Sequence, residues 1–105
     1  MNEEQFLYLT TTGRKTGVPR EIEIWFTQRE GRYYLIAEHR VKANWVQNIL
    51  RQPRISFRIS NQTFSGIGRI IDEATEHELL KSVHALSEQK YGWSDGLVIE
   101  LTAAE

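Results

Sequence analysis

The sequence predicts an α+β fold that is mainly β: six antiparallel strands forming a barrel or strongly coiled sheet, packed against one short and one long helix. Three observations carry that expectation. Short runs alternate apolar and polar residues with the period of a half-buried strand. The turns between them are too short for parallel neighbours, which need crossovers of about a dozen residues or more. Only residues 43–51 and 74–91 show helical spacing.

Phe6-Leu7-Tyr8-Leu9, continued by Thr10, Thr11 and Thr12, is rich in β-formers and reads as the first strand. Gly13-Arg14-Lys15-Thr16-Gly17-Val18-Pro19 then supplies two glycines and a proline, the material of a turn or hairpin loop. Over residues 20–27, Glu21, Glu23 and Trp25 fall on one face and Ile22, Ile24 and Phe26 on the other, as in one half-buried strand. Gln28-Arg29-Glu30-Gly31-Arg32 is a tight turn into the strand Tyr33-Tyr34-Leu35-Ile36-Ala37.

The pairs Trp45/Ile49 and Val46/Leu50 share the spacing of a short helix, which Pro53 stops. Ile55, Phe57 and Ile59 alternate with Ser56, Arg58 and Ser60 in the next strand. Asn61-Gln62 turns the chain into a strand over residues 63–72, where Gly66 and Gly68 mark a bend or a close backbone approach. Leu79, Leu80, Val83 and Leu86 form the apolar stripe of the long helix. Tyr91-Gly92-Trp93-Ser94-Asp95-Gly96 ends it, and Leu97-Val98-Ile99-Glu100-Leu101 is the last strand.

At 105 residues the chain is the size of one small domain, without linker or repeat. It has no cysteine, which excludes disulfides, Cys-ligated zinc and iron–sulfur clusters. No apolar stretch reaches the ~20 residues of a membrane span. Met1-Asn2-Glu3-Glu4 is acidic and lacks the basic and apolar regions of a secretion signal, so the expected compartment is the cytoplasm.

The net charge of −1 hides a segregation. Between His39 and Ile71 there is no Asp or Glu, yet Arg40, Lys42, Arg51, Arg54, Arg58 and Arg69 stand there, and Arg14, Lys15 and Arg20 cluster earlier. The tail is acidic. One surface meets an anion, or the cations occupy separate solvated faces; charge alone leaves both open.

Familiar catalytic motifs fail on inspection. His77-Glu78-Leu79-Leu80 is followed by Lys81, so a zinc-protease helix lacks its second histidine. His39, His77 and His84 have no ligand spacing, and no metal site is expected. Thr63-Phe64-Ser65-Gly66 lacks the first glycine of a nucleophile elbow, and Gly13-Arg14-Lys15-Thr16-Gly17 lacks the spacing of a Walker loop. The loop from Thr10 to Arg20 nevertheless combines hydroxyls, glycine amides and three cations, the groups that hold a phosphate. A solvated basic turn has the same composition. Trp45 is open in the same way, as a core aromatic or as the wall of a cofactor pocket.

Leu9-Thr10-Thr11-Thr12-Gly13-Arg14-Lys15-Thr16-Gly17-Val18-Pro19-Arg20 resembles the signature of the deazaflavin-dependent nitroreductase family, a relative of the flavin-binding split β-barrels of the pyridoxamine-phosphate-oxidase type. The resemblance continues through Ile24-Trp25-Phe26, Tyr34-Leu35-Ile36-Ala37, Asn44-Trp45-Val46-Gln47-Asn48-Ile49 and Pro53-Arg54-Ile55. It implies a split barrel. It also implies a 5-deazaflavin coenzyme of the factor-420 type, or FMN as in relatives, and hydride transfer to a small-molecule acceptor: a quinone, nitro compound or activated enone.

By that resemblance Lys15 and Arg20 grip the cofactor's phosphate side, with Thr12, Arg14 and Thr16 close by. Ile24 and Trp25 lie along the ring system, Ala37 borders it, and Trp45 shapes the cleft. Tyr91 and Trp93 correspond to substrate-side aromatics. Two copies close the cleft as a homodimer. After Ala37 the chain departs from the family: Glu38-His39-Arg40-Val41 replaces a Ser-Lys-Gly-Gly-like stretch, leaving Arg40 or Lys42 to supply that cation. Two rivals stand beside this reading. One is a flavin or haem carrier or sensor of the same fold. The other is a small nucleic-acid-binding barrel using the cationic middle, against which a pI of about 6.3 counts.

Overall fold

A computed structural model describes residues 5–104. The chain runs β1 (Phe6–Thr12), β2 (Pro19–Trp25), β3 (Thr27–Arg29), β4 (Arg32–Ala37), a 3-10 turn (Arg40–Lys42), α1 (Asn44–Arg51), β5 (Arg54–Ile59), β6 (Gln62–Ile70), α2 (His77–Tyr91) and β7 (Leu97–Ala103). All strands join one antiparallel sheet in the order β2-β1-β5-β6-β7-β4-β3.

The sheet has seven strands rather than the six expected, because the run over residues 20–27 breaks at Phe26. Up to Trp25 the backbone pairs with β1, opposite Phe6; from Thr27 it pairs with β4, opposite Tyr34. Phe26 and Thr27 are both buried, so the inward parity slips by one residue where the partner changes. β2 and β3 are the two edges of the sheet, yet one residue separates them in sequence. The sheet must therefore curl until its edges meet. It closes at Phe26 and stays split elsewhere between β2 and β4: a split barrel.

Leu7, Leu9, Leu35, Phe57, Ile99 and Leu101 fill the interior, joined by Val46 and Ile49 of α1. Tyr34, Ile71 and Val98 point to the other side and pack under Val83 of α2. The β3–β4 turn places Glu30 and Gly31 at φ 52° and 77°, the positive values that a two-residue hairpin of matching twist requires. The long helix starts at His77, three residues later than its periodicity suggests. Asp72 makes its own turn first, its side chain accepting from Ala74 N–H at 2.9 Å.

Beside α2 lies a buried carboxylate. Glu100 is 3% exposed; the Tyr34 hydroxyl donates to it at 3.0 Å, Arg69 at 3.2 Å, and Arg32 stands 3.6 Å away. Arg69 also forks onto Glu76 at 2.8 and 3.0 Å, which holds the Glu76 carboxyl below its ordinary range. Burial, then the bond to Glu100, pushes the Tyr34 phenol up to about 12. A phenol whose pKa rises on folding contributes stability that is whole below pH ~10 and is lost as pH climbs through about 12. Roughly 1–2 kcal/mol is at stake after allowance for solvent screening. Urea unfolding between pH 9 and 12 should show wild type losing its advantage over Tyr34→Phe. A constant gap across that range contradicts the assignment.

Candidate functional site

The loop between β1 and β2 is a built structure. Gly13 N–H donates to Val18 O at 2.9 Å, Gly17 N–H to Gly13 O at 2.8 Å, and Val18 N–H to the Thr16 hydroxyl at 3.2 Å. Gly17 sits at φ +73°, a conformation that favours glycine. Arg14 staples this loop to α1. Its backbone N–H and its guanidinium both donate to Asn48 Oδ1, at 3.1 and 3.0 Å, and the guanidinium reaches Asn44 Oδ1 at 3.2 Å. Asn48 is buried and donates in turn to the Thr11 hydroxyl at 3.0 Å, so each part of its amide has a partner.

That arrangement divides the expected cations. Arg14 is spent on the loop's pose. Lys15 and Arg20 are exposed, and no carboxylate among the described residues pairs with either. With Arg14, Thr16 and Trp45 they line a hollow of about 620 Å³. Trp45 also lines a second cleft of about 540 Å³, in the split between β2 and β4. Ile24, Trp25, Ile36, Ala37 and Trp93 make its apolar walls, and exposed Glu38 and His39 stand at its rim. The first hollow sets three cations, Arg14, Lys15 and Arg20, beside one carboxylate, Glu21. The second is mainly aromatic and aliphatic, with Glu23 joining Glu38 among its polar residues, and the Trp45 indole borders both.

The structure thus brings together Arg14, Lys15, Thr16, Arg20, Ile24, Trp25, Ala37, Trp45 and Trp93. Thr12 lies apart. Strand alternation turns Thr11 inward, while Thr12 lines a separate hollow with Thr10, Arg54, Ser56 and Ser65. Tyr91 stands behind the cleft, its ring stacked on Trp25 with centroids 4.3 Å apart and planes 4° from parallel. Its hydroxyl accepts Phe26 N–H at 3.0 Å and donates to the Phe26 or Gln5 carbonyl. Arg40 pairs with Asp95 at 3.4 Å and Glu73 at 3.7 Å, outside both clefts. Asn44, Asn48 and Ile36 fall within stretches that carry the family resemblance, but neither the positioning role of the asparagines nor the cleft places of Ile36, Glu38 and His39 is legible from residue type or spacing. Among the described residues no cluster of His, Cys, Asp and Glu could hold a metal, and no helix is long and apolar enough to cross a membrane.

The profile of a family described as F420H(2)-dependent quinone reductase matches residues 1–95. The chain belongs to this family. No curated protein matches it. Solved structures show what a reductase-family chain of this length resembles in shape. The haem-storage protein HutZ of Vibrio cholerae is 19% identical, with 98% of this chain and 84% of that one covered at a TM-score of 0.79. A conserved hypothetical protein of Mycobacterium tuberculosis is also 19% identical, covering 98% and 75% at 0.80. An F420-H2 dependent reductase, FDR-A, is 20% identical, covering 92% and 93% at 0.65. At such identities the likeness establishes the split-barrel fold, which the reductase family shares with proteins of other descriptions.

Proposed function

We propose that this reductase-family chain binds a phosphorylated 5-deazaflavin across Trp45 and passes hydride from it to a quinone, nitro compound or activated enone. The observation that carries the reading is the shared wall. Lys15 and Arg20, neither paired with the Glu21 that lines the same hollow, and a mainly apolar aromatic slot meet at one indole, matching a ligand with an anionic end and a planar end. When bound in its reduced form, the coenzyme supplies the hydride; FMN offers the same division and is the alternative cofactor.

The chain's own residues do the rest. Lys15 and Arg20 bind the anionic side. Trp25, Ala37 and Trp45 orient the ring and keep water from it, and Trp93 borders the acceptor. Tyr91 has its hydroxyl engaged with the Phe26 backbone, so the proton that accompanies hydride into the product comes from solvent at the open rim.

Loss of reduced-deazaflavin absorbance in the presence of menadione or a nitroaromatic tests the reading, with FMN and NADPH as a parallel arm. Turnover above the uncatalysed rate is expected. Trp45→Ala should lower affinity and turnover together by about tenfold or more, since 1.4 kcal/mol of lost contact already gives a decade. Binding without turnover makes the chain a carrier.

Assembly as a homodimer is part of the same proposal. Among the described residues, the buried clusters that α1 and α2 join include none of Glu21, Glu23, Arg54 and Arg58, which the outer face of β2-β1-β5-β6 carries as two acids on one strand against two bases on another. Arg58 lies over the Tyr8 ring at 4.3 Å, and Glu23 raises the Tyr8 phenol through a hydrogen bond. A two-fold axis along β1 sets Glu23 of one copy against Arg58 of the next. Light scattering should report about twice 12.3 kDa, falling to the monomer in Arg58→Glu. A wild-type monomer removes this part of the proposal.

A further inference from the structure

Phe26 is the one residue between β2 and β3, and its backbone belongs to neither ladder. Buried backbone groups need partners, and the last turn of α2 supplies them. The Tyr91 oxygen accepts Phe26 N–H, while the Phe26 carbonyl accepts from the Tyr91 hydroxyl at 2.8 Å and from Lys90 Nζ at 2.9 Å. The same hydroxyl reaches the Gln5 carbonyl just ahead of β1. Its single proton serves one of these two carbonyls at a time, while its oxygen keeps Phe26 N–H, so one phenol holds the crossing point of the barrel to the end of α2 with the entry to β1 within reach.

The ring of that phenol has a second task. It lies flat against Trp25, and Trp93 meets the same indole edge-on at 6.3 Å and 74°. Trp25 still keeps 48% of its surface exposed, on an edge strand and against the apolar cleft. An indole at a sheet edge has several open rotamers. The stack behind it and the edge contact beside it select one, in which the half-exposed indole lines the cleft.

We propose that Tyr91 is a positioning residue: it fixes Trp25 as a rigid wall whose uncovered face receives the planar ring of the ligand, completing a stack of three rings. Tyr91 does not line the cleft itself and acts through Trp25. The inference rests on the reading of that cleft as the ring site, and it makes Tyr91 a residue of cleft geometry rather than of acceptor contact. Offset stacking is the preferred geometry for such rings, and a pre-formed wall saves the ordering that a free indole would undergo on binding.

The test is a double-mutant cycle over Tyr91→Leu and Trp25→Leu, read by calorimetry with oxidised deazaflavin and with FMN, and by near-ultraviolet circular dichroism without ligand. Tyr91→Leu should weaken affinity by about fivefold and remove most of the dichroism that Trp25→Leu removes. In the Trp25→Leu background it should have no further effect on affinity, because the wall it supports is gone. Additive losses, or a folded Tyr91→Leu protein with wild-type affinity and spectrum, overturn the proposal. If Tyr91→Leu does not fold, Tyr91→Phe carries the test. It keeps the ring, loses the tether, and should weaken affinity about twofold with an altered tryptophan spectrum; no change in either overturns it. Failure of the wild-type protein to bind either probe overturns the cofactor reading instead, while the ligand-free spectra still decide whether Tyr91 holds the indole.

Discussion

Gly66→Ala is expected to destabilise the protein by about 3 kcal/mol, the upper end of what overpacking costs. A Cβ at Gly66 would lie 2.0 Å from Thr102 O, 2.9 Å from Thr102 C and 3.0 Å from Ala103 Cα. All three are backbone atoms of β7, and Gly66 is paired with Ala103 in the ladder and with Ile55 on its other side. Relief requires moving a strand held on both flanks, since β7 lies between β6 and β4. Small domains have only ~5–15 kcal/mol in total, so the thermal midpoint should fall by more than about 10 °C. Gly68→Ala is the internal comparison. Its Cβ would meet Ile49 Cδ1 at 3.1 Å, the flexible end of a side chain, and about 1 kcal/mol is expected. Equal midpoints for the two variants would mean that β6 and β7 are not held as closely as their backbones show.

Those two glycines illustrate what period and composition can reveal. Their presence in an alternating run signals a bend or a close backbone approach, and the structure shows the close approach and its neighbours: a strand for Gly66, a helix for Gly68. The alternation of Leu7, Leu9 and Thr11 against Tyr8, Thr10 and Thr12 likewise contains the separation of Thr12 from the cation loop, because period two fixes faces without any tertiary information. The break at Phe26 is different. Ile22, Ile24 and Phe26 keep their alternation through it, and only the change of partner from β1 to β4 ends one strand and begins another. Partner choice is non-local, and so is the closure of the barrel that follows from it. Arg14 fails to announce its role for the same reason. Its partners Asn44 and Asn48 are one helical turn apart on α1, thirty and more residues downstream, and nothing in the loop itself distinguishes a stapled guanidinium from a free one.

Removing charge from Lys15 and Arg20 should have the largest effect on ligand binding. Each is expected to contribute a charged hydrogen bond to a phosphate, worth about 1.5–3 kcal/mol, so Lys15→Ala or Arg20→Ala alone should weaken affinity by roughly 10- to 150-fold. The double variant should fall short of the product of the two, because both cations act on one anion and their effects are coupled. Exposure makes the interaction sensitive to ionic strength, and raising salt from 0.05 to 0.5 M should narrow the gap between wild type and variants. Folding should be untouched, since neither side chain pairs with a carboxylate among the described residues. Arg14→Ala separates the two kinds of cation. It breaks the bonds from the guanidinium to Asn44 and Asn48 and should lower stability and affinity together. Calorimetric titration with oxidised deazaflavin and with FMN, beside thermal unfolding of each variant, reads both quantities. If Lys15→Ala and Arg20→Ala bind both compounds as tightly as wild type, the loop is a solvated basic turn, and the anionic end of the ligand must be held elsewhere.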